Sequence, residues 1–277
     1  MAKILVTDDD RSMRLLVRTI LTGAKHTVEE AANGAEALEK IRANQYDLAV
    51  LDIWMPEMTG LELLAQLQSE SRRPKVVMLT SDDAPASLLS AVREQAYRYI
   101  KKPVEPAELL AAVNSVLAAK AGLPPIEVVS AQPDWVELLV PCDLEAAERI
   151  HSFMDRLETG LPPSERDKLA QAFRELLMNA VEWGGKLDPS RQVRISYIRA
   201  KRMVLYRIAD PGKGFRIDQL PHAAISYTEE QPLEHMDARE AKGIRPGGFG
   251  LLMTRALVDE LIYNEAHNEV ICVKYLD

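Results

Sequence analysis

The chain has 277 residues, of which 47% are hydrophobic and 27% are charged, and its formal net charge is −8. These values exclude wholesale disorder and are typical of a folded protein that is long enough for two domains. The acidic balance disfavours broad binding to nucleic acids or to anionic membranes, and we expect neither kind of partner.

The pattern of the first 120 residues alternates between short apolar runs and helical periodicity. The predicted strands are 4–6, 27–31, 48–51, 76–79 and 97–100. The predicted helices are 11–21, 35–42, 61–68, 86–93 and 106–119. Five strands that alternate with five helices predict an α/β domain with a doubly wound, five-stranded parallel sheet.

A composition change then predicts a domain boundary. The sequence AAKAGLPP, residues 118–125, ends the last helix with a glycine and two prolines. We therefore predict a first domain at 1–120, a linker at 121–134 and a second domain at 135–277.

The second half has a different pattern. Its predicted strands are 136–140, 192–198, 203–209 and 270–275, and its predicted helices are 144–157, 165–183 and 250–263. A long polar stretch at 215–247 separates the last helix from the preceding strands, and long irregular stretches of this kind are commonly functional. This order predicts an α+β domain with helices on one face of a mixed or antiparallel sheet.

The cysteines and the chain start bear on location. Cys142 and Cys272 do not have a metal-type spacing, which favours reduced thiols. No apolar run approaches the roughly 18 residues of a membrane helix. The N-terminal segment turns acidic at Asp8, unlike a signal peptide. These features predict a cytoplasmic protein.

Polar residues follow the predicted parallel strands at their carboxyl ends. Asp8 and Asp9 follow the first strand, Asp52 ends the third, Thr80 ends the fourth, and Lys102 follows the fifth. Ligands bind at this edge of open parallel sheets. Three neighbouring carboxylates would repel one another without a cation, and Mg²⁺ prefers such oxygen ligands. Lys102 could then neutralise a phosphoryl group, and the hydroxyl of Thr80 could donate to its oxygen.

With these residues at successive strand ends, segment 1–120 resembles a response-regulator receiver domain. The resemblance implies that Asp52 is the phosphoacceptor, that Thr80 and Tyr99 form the switch pair, and that an upstream histidine kinase supplies the phosphate. Lys102 matches the family's conserved lysine, whereas Gln95 stands where many receivers have glycine. The implied Mg²⁺ ligands are Asp8, Asp9, Asp52 and the backbone carbonyl of Trp54.

A second set of candidate residues begins in FRELLMNAVEWGG, residues 173–185. Glu175 and Asn179 stand four residues apart, so they share one face of the predicted helix. The carboxylate could polarise a water or a hydroxyl, and the amide oxygen could bind a metal ion. We expect Gly184 and Gly185 to let the chain turn sharply after the helix.

Two glycine-containing segments follow. In ADPGKGF, Asp210 leaves a strand and precedes Gly212 and Gly214. In RPGGFGLLM, Gly248 and Gly250 open the last predicted helix. Glycine-rich turns at helix N-termini present N–H groups to phosphates, and an aspartate at a strand end can accept from the amine of a base.

These three segments, in this order, resemble the ATP-binding fold of the GHKL (Bergerat-type) superfamily, which includes histidine kinases, gyrases and anti-sigma-factor serine kinases. The resemblance covers residues 135–277 and implies ATP with Mg²⁺ as cofactor, with Asn179 as a metal ligand. The opening WVELLVPCDLEAAERIHSFMDRL matches the serine-kinase branch. Trp183 departs from that branch, which often has histidine there, and His151 lacks the neighbours of a phosphorylatable histidine.

The sequence therefore predicts a two-component signalling protein in which phosphorylation of Asp52 regulates a serine/threonine-kinase-like domain. The resemblance implies an anti-sigma-factor antagonist or a sigma factor as partner, and it allows a homodimer. Two alternatives stay open. The second domain could bind ATP or a partner without catalysis, or it could be an atypical histidine kinase.

Overall fold

The computed structural model describes residues 1–70, 72–81, 85–119, 124–132, 134–157, 161–214 and 250–276. The chain divides into two compact units, Met1–Gly122 and Leu123–Asp277. None of the helices within the described ranges is both long enough and apolar enough to span a bilayer.

The first unit is a parallel sheet with helices in the order that the sequence predicted. Its strands are β1 Lys3–Thr7, β2 Thr27–Ala31, β3 Leu48–Asp52, β4 Lys75–Thr80 and β5 Arg98–Lys101. Its helices are α1 Arg11–Gly23, α2 Gly34–Ala43, α3 Gly60–Leu67, α4 Pro85–Arg93 and α5 Pro106–Ala118. The strand order is β2-β1-β3-β4-β5, and all neighbours are parallel, which confirms the predicted doubly wound fold.

The sequence of the central strands explains their position. Every residue of β3 is buried, as expected for a parallel strand that is covered on both faces. Helices α1 and α2 begin at side-chain caps, with Asp10 accepting from the Ser12 amide at 2.7 Å and Asn33 accepting from the Glu36 amide at 2.8 Å. These caps follow strand ends, so the first turns of α1 and α2 lie at the carboxyl edge of the sheet.

The turn before β5 is unusual because Gln95 adopts a left-handed backbone with φ of 60°. Glycine adopts this conformation freely, whereas other residues lose about 1–2 kcal/mol. Arg73 supports the turn by donating from Nη2 to the carbonyls of Glu94 at 2.8 Å and of Gln95 at 3.2 Å. These hydrogen bonds explain how the turn accommodates glutamine in a backbone conformation that favours glycine.

The second unit is an antiparallel sheet with helices. Its strands are β6 Glu127–Gln132, β7 Trp135–Pro141, β8 Gln192–Ala200, β9 Met203–Ala209, β10 Glu260–Tyr263 and β11 Glu269–Tyr275. Its helices are α6 Leu144–Leu157, α7 Pro163–Asn179 and α8 Gly250–Leu257, and one π-helical turn, Ala180–Gly184, extends α7. The order is β10-β11-β9-β8-β7-β6. The predicted α+β class is confirmed.

The helices pack on one face of this sheet. Residues Val136, Leu138 and Val140 alternate as buried positions along β7. Phe173 of α7 contacts Tyr206 of β9, with ring centroids 4.8 Å apart. Helix α7 therefore lies against the sheet on its apolar side, and its polar positions remain available on the other side.

Two sequence predictions are corrected by the structure. The helix predicted at 250–263 ends at Leu257, and Glu260–Tyr263 is a strand instead. The Asp259 amide donates to the Val273 carbonyl at 3.0 Å, and the Asp259 carboxylate accepts from the Tyr275 amide at 2.6 Å. These hydrogen bonds to β11 stabilise Glu260–Tyr263 as a strand. Because the stabilisation comes from a partner strand, the sequence of these four residues does not reveal it.

The second correction concerns the linker predicted at 121–134. Strand β6 lies inside this segment and pairs antiparallel with β7, with Glu127 opposite Leu139 and Gln132 opposite Trp135. The sequence EVVSAQ is too short and too weakly patterned to identify as a strand alone, because its structure depends on the partner strand.

Candidate functional site

Three carboxylates meet at the carboxyl edge of the first sheet. Asp8 follows β1 and is fully buried, Asp52 ends β3 and is 2% exposed, and Asp9 is exposed. One carboxylate oxygen from each lies within 4.8 Å of those from the other two. These hard oxygen donors fit a Mg²⁺ ion in number and chemistry.

Lys102 joins the two buried carboxylates of this cluster. Its Nζ lies 2.8 Å from Oδ2 of Asp8 and 2.9 Å from Oδ1 of Asp52. Its backbone amide donates to the Thr80 carbonyl at 2.6 Å, which fixes the end of β5 beside β4. The ammonium group therefore sits where it offsets the repulsion between two buried negative charges.

The electrostatics of this edge follow from burial and charge. Burial raises the pKa of Asp52, and the negative charge of Asp8 adds to the rise, while Lys102 opposes it. Burial alone would lower the pKa of Lys102, but its hydrogen bonds to Asp8 and Asp52 outweigh burial and raise that pKa. Lys102 is thus held in its charged form, and Asp52 is a carboxylate whose charge is costly without a positive partner.

The backbone around the acidic residues is held rigidly. Oδ1 of Asp8 accepts from the Asp10 amide at 2.9 Å. Arg14 of α1 donates from Nη1 to the carbonyls of Asp8 at 2.7 Å and of Asp9 at 3.1 Å. The loop after β1 is therefore fixed by the first turn of α1, and the carboxylates are preorganised.

Gly60 supports the same site and was missed by the sequence analysis. A Cβ atom added to Gly60 would lie 2.0 Å from the carbonyl oxygen of Asp52. The amide of Gly60 donates to the Ile53 carbonyl at 2.9 Å. Helix α3 thus begins directly against the backbone of Asp52, and only glycine leaves the room for this approach.

The other predicted receiver residues lie at or near the same edge. Thr80 is fully buried at the end of β4, and Tyr99 in β5 is 7% exposed. Trp54 lies in the loop after β3, with 51% of its surface exposed. The structure therefore brings Asp8, Asp52, Thr80 and Lys102 to one edge.

In the second unit, Glu175 and Asn179 occupy the last turn of α7, and both are half-buried. The opposite face of this turn is apolar and buried, with Leu176 and Leu177 inside the core. Beyond Asn179 the helix widens into the π-helical turn Ala180–Gly184. Single π-helical turns within helices are rare and often mark functional sites.

The glycines after this helix have a different role from the one predicted. A Cβ atom on Gly184 would lie 2.2 Å from Cγ of Asp210, and one on Gly185 would lie 2.2 Å from Sγ of Cys142. The left-handed residues of the turn are Lys186 and Leu187, with φ of 59° and 53°. The glycine pair therefore provides space for neighbouring side chains, whereas the two following residues turn the chain.

Asp210 lies directly after β9, packed against the π-helical turn at Gly184. Its Oδ1 accepts from the Gly212 amide at 2.7 Å. Burial raises the pKa of Asp210, while the Gly212 amide and the positive charge of Arg191 act against the rise. The segment that carries Asp210 and the helix that carries Asn179 are thus brought together, as the motif order implied.

Of the remaining glycines predicted to contact the nucleotide, Gly214 and Gly250 lie within the described residues and Gly248 does not. Gly214 has φ of 80°, and a Cβ atom there would lie 1.6 Å from the Ala266 carbonyl oxygen, so only glycine fits. Gly250 begins α8, which contacts α7.

Comparison with known proteins finds a matching family model for each of the two units. Residues 4–114 match the response regulator receiver domain, and residues 140–274 match the histidine kinase-like ATPase domain. These matches confirm the two families that the motifs predicted.

Individual relatives match the first unit. The chemotaxis protein CheY of Thermotoga maritima is 31% identical over 115 residues, which are 41% of this chain and 96% of that protein. The response regulator MprA of Mycobacterium ulcerans is 38% identical over 115 residues, which are 42% of this chain and 50% of MprA. The chain thus matches only half the length of that relative. Chemotaxis response regulator CheY4 of Vibrio cholerae has a solved structure that is 34% identical, with a TM-score of 0.40, over 42% of this chain and 98% of that one. The chain belongs to the response-regulator receiver family, and a histidine kinase-like ATPase domain follows its receiver domain.

Proposed function

We propose that phosphorylation of Asp52 in the receiver domain controls an ATP-dependent serine/threonine protein kinase activity of the second domain. The observation that carries the proposal is the position of Glu175 and Asn179, which are half-buried and lie one turn apart in α7. The π-helical turn that follows this helix packs against Asp210 at Gly184. In this proposal Glu175 is the general base, Asn179 is a metal ligand, and the carboxylate of Asp210 recognises adenine.

The receiver residues support phosphoryl transfer to Asp52. A carboxylate oxygen of Asp52 attacks the phosphorus atom of the donor, the bond to the donor's imidazole nitrogen breaks, and the imidazole takes up a proton. Lys102 neutralises an oxygen of the incoming group from its position 2.9 Å from Asp52. Mg²⁺, held by Asp8, Asp9, Asp52 and the Trp54 carbonyl, would supply the remaining positive charge. Thr80 and Tyr99 then respond as the switch pair.

The second domain supports the use of ATP. In this proposal Asp210 would accept a hydrogen bond from the amine of adenine, and Asn179 would hold a phosphate-bound Mg²⁺. Amides near the predicted glycines Gly212, Gly214, Gly248 and Gly250 would donate to the phosphates. Glu175 takes the proton of a serine or threonine hydroxyl of the substrate while the hydroxyl oxygen attacks the terminal phosphorus of ATP. The bond to the bridging oxygen breaks, and ADP is the leaving group.

We also propose limits for the two domains. The receiver occupies residues 1–120, and the ATPase domain begins near Glu127 rather than at 135, because β6 pairs with β7. An upstream histidine kinase is the proposed phosphodonor, and an anti-sigma-factor antagonist is the proposed class of kinase substrate.

The proposal is tested by incubating the whole chain with radiolabelled ATP, Mg²⁺ and protein extract from the source organism. We expect acid-stable phosphoserine or phosphothreonine on a partner, in an amount that changes after treatment with acetyl phosphate. Acid-labile phosphohistidine would instead support an atypical histidine kinase. ATP binding without any phosphotransfer would support a binding module.

Gly184→Ala is expected to weaken ATP binding about 10–100-fold, because the added methyl group displaces the Asp210 carboxylate from its hydrogen-bonding position. Calorimetry with ATP measures the change. Gly23→Ala is the matched control, since a Cβ atom there meets nothing within 4 Å, and it should leave ATP affinity unchanged. Equal affinities for the two variants would contradict the assignment of Asp210 to the base.

A further inference from the structure

Arg191 connects the two segments that form the proposed adenine end of the ATPase site. Its Nη2 donates to the Pro211 carbonyl, and its Nη1 donates to the Gly185 carbonyl at 3.5 Å. The Arg191 carbonyl accepts from the Cys142 amide at 2.9 Å, just beyond the β7–β8 pairing. The guanidinium group therefore extends from a backbone that the sheet holds in place.

The turn that carries Asp210 is held by hydrogen bonds from two sides. The Asp210 amide donates to the Asn268 carbonyl at 2.8 Å, and Nδ2 of Asn268 donates to the Gly212 carbonyl at 3.0 Å. The Gly212 amide donates to the Asp210 side chain. Between these groups, the Pro211 carbonyl accepts from Arg191. Asn268 thus ties the turn to the start of β11, and Arg191 ties it to the segment after α7.

The charge of Arg191 acts in the same direction as its hydrogen bonds. Burial raises the pKa of Asp210, and the Arg191 guanidinium opposes this rise together with the Gly212 amide. An aspartate accepts most strongly from an amine when it is ionised. Arg191 therefore favours both the position and the charge state in which Asp210 can accept.

We propose that Arg191 is a positioning residue for adenine recognition, which holds the Pro211 and Gly185 carbonyls together so that Asp210 meets the exocyclic amine of the nucleotide. This inference rests on the proposed ATP-binding function of the same site. Nη1 and Nη2 of Arg191 donate to backbone carbonyls on both sides of the turn, so Arg191 acts on base selectivity through the position of Asp210.

The test compares ATP with purine riboside 5′-triphosphate, which lacks the exocyclic amine, in calorimetry on the whole chain. The wild-type protein should prefer ATP. We expect Arg191→Met to reduce that preference about tenfold, mainly through weaker ATP binding. Arg191→Lys keeps the charge but offers one nitrogen in place of the two that reach the Gly185 and Pro211 carbonyls, so it should retain a larger part of the preference than Arg191→Met.

Arg194→Met is the matched control, because Arg194 lies three residues away on β8 and pairs with Glu137, with 45% of its side chain exposed. It should leave the preference intact. A loss of affinity for both nucleotides by the same factor in Arg191→Met would indicate a purely structural role and overturn the inference. An unchanged preference would overturn it too. A wild-type protein without any preference for ATP would instead contradict the underlying assignment of Asp210.

Discussion

Glu175→Gln is expected to slow phosphotransfer from ATP by about 10²–10⁴-fold while ATP affinity changes only slightly. Glutamine has the size and nearly the helix propensity of glutamate, so α7 and its packing should persist. The amide can still donate and accept hydrogen bonds, but it cannot take a proton from an attacking hydroxyl. ATP affinity by calorimetry and phosphotransfer by radiolabel measure the two effects separately.

Two further variants define the meaning of this result. Asn179→Ala should weaken Mg²⁺-ATP binding and turnover together, because the proposed metal ligand is lost. Glu165→Gln makes the same chemical change at the start of α7, where the carboxylate pairs with Lys168 and Lys274, and it should leave turnover at the wild-type level. Wild-type turnover in Glu175→Gln would remove the proposed base and favour a binding module.

Asp52→Asn is expected to abolish labelling of the receiver by acetyl phosphate in the presence of Mg²⁺. The amide lacks the nucleophilic carboxylate, while its near-identical shape keeps β3 and the neighbouring Lys102 in place. Mass spectrometry of the intact chain and of its peptides measures the added phosphoryl group. Complete loss of the label is the expected result.

Asp47→Asn is the control for this experiment, because Asp47 is an exposed aspartate just before β3. Its Oδ2 accepts a hydrogen bond from the Lys3 amide at 2.7 Å. It should be labelled like the wild-type chain. If the peptide that spans position 52 still carried the label in the Asp52→Asn variant, the phosphoacceptor assignment would be wrong.

The receiver site could be predicted from sequence because its residues follow strands that are simple to recognise. Strand β3 is apolar throughout and ends at Asp52, and β1 ends just before Asp8. Once the sheet is parallel, these ends must share one edge. The bridge from Lys102 to Asp8 and the close approach of Gly60 depend on the three-dimensional loop paths, which no local pattern encodes.

The ATPase site was less predictable for a related reason. The motif around Glu175 and Asn179 is local, and its helix formed as expected up to Asn179, after which a π-helical turn replaces the predicted end of the helix. Gly184 was expected to be a turn residue, but its role depends on Asp210, which is distant in the sequence. Arg191 and Asn268 had no sequence signal, because they act through backbone carbonyls, and any donor of suitable length could serve.

Strand β6 is the terminal strand of the second sheet and covers the edge of β7. It pairs along β7, and without it β7 would present a row of unpaired amides and carbonyls beside Trp135, which is 50% exposed. Open strand edges of this kind recruit other strands and promote aggregation. An isolated ATPase fragment that begins at Trp135 would carry this liability, whereas one that includes Glu127–Gln132 would keep β7 covered.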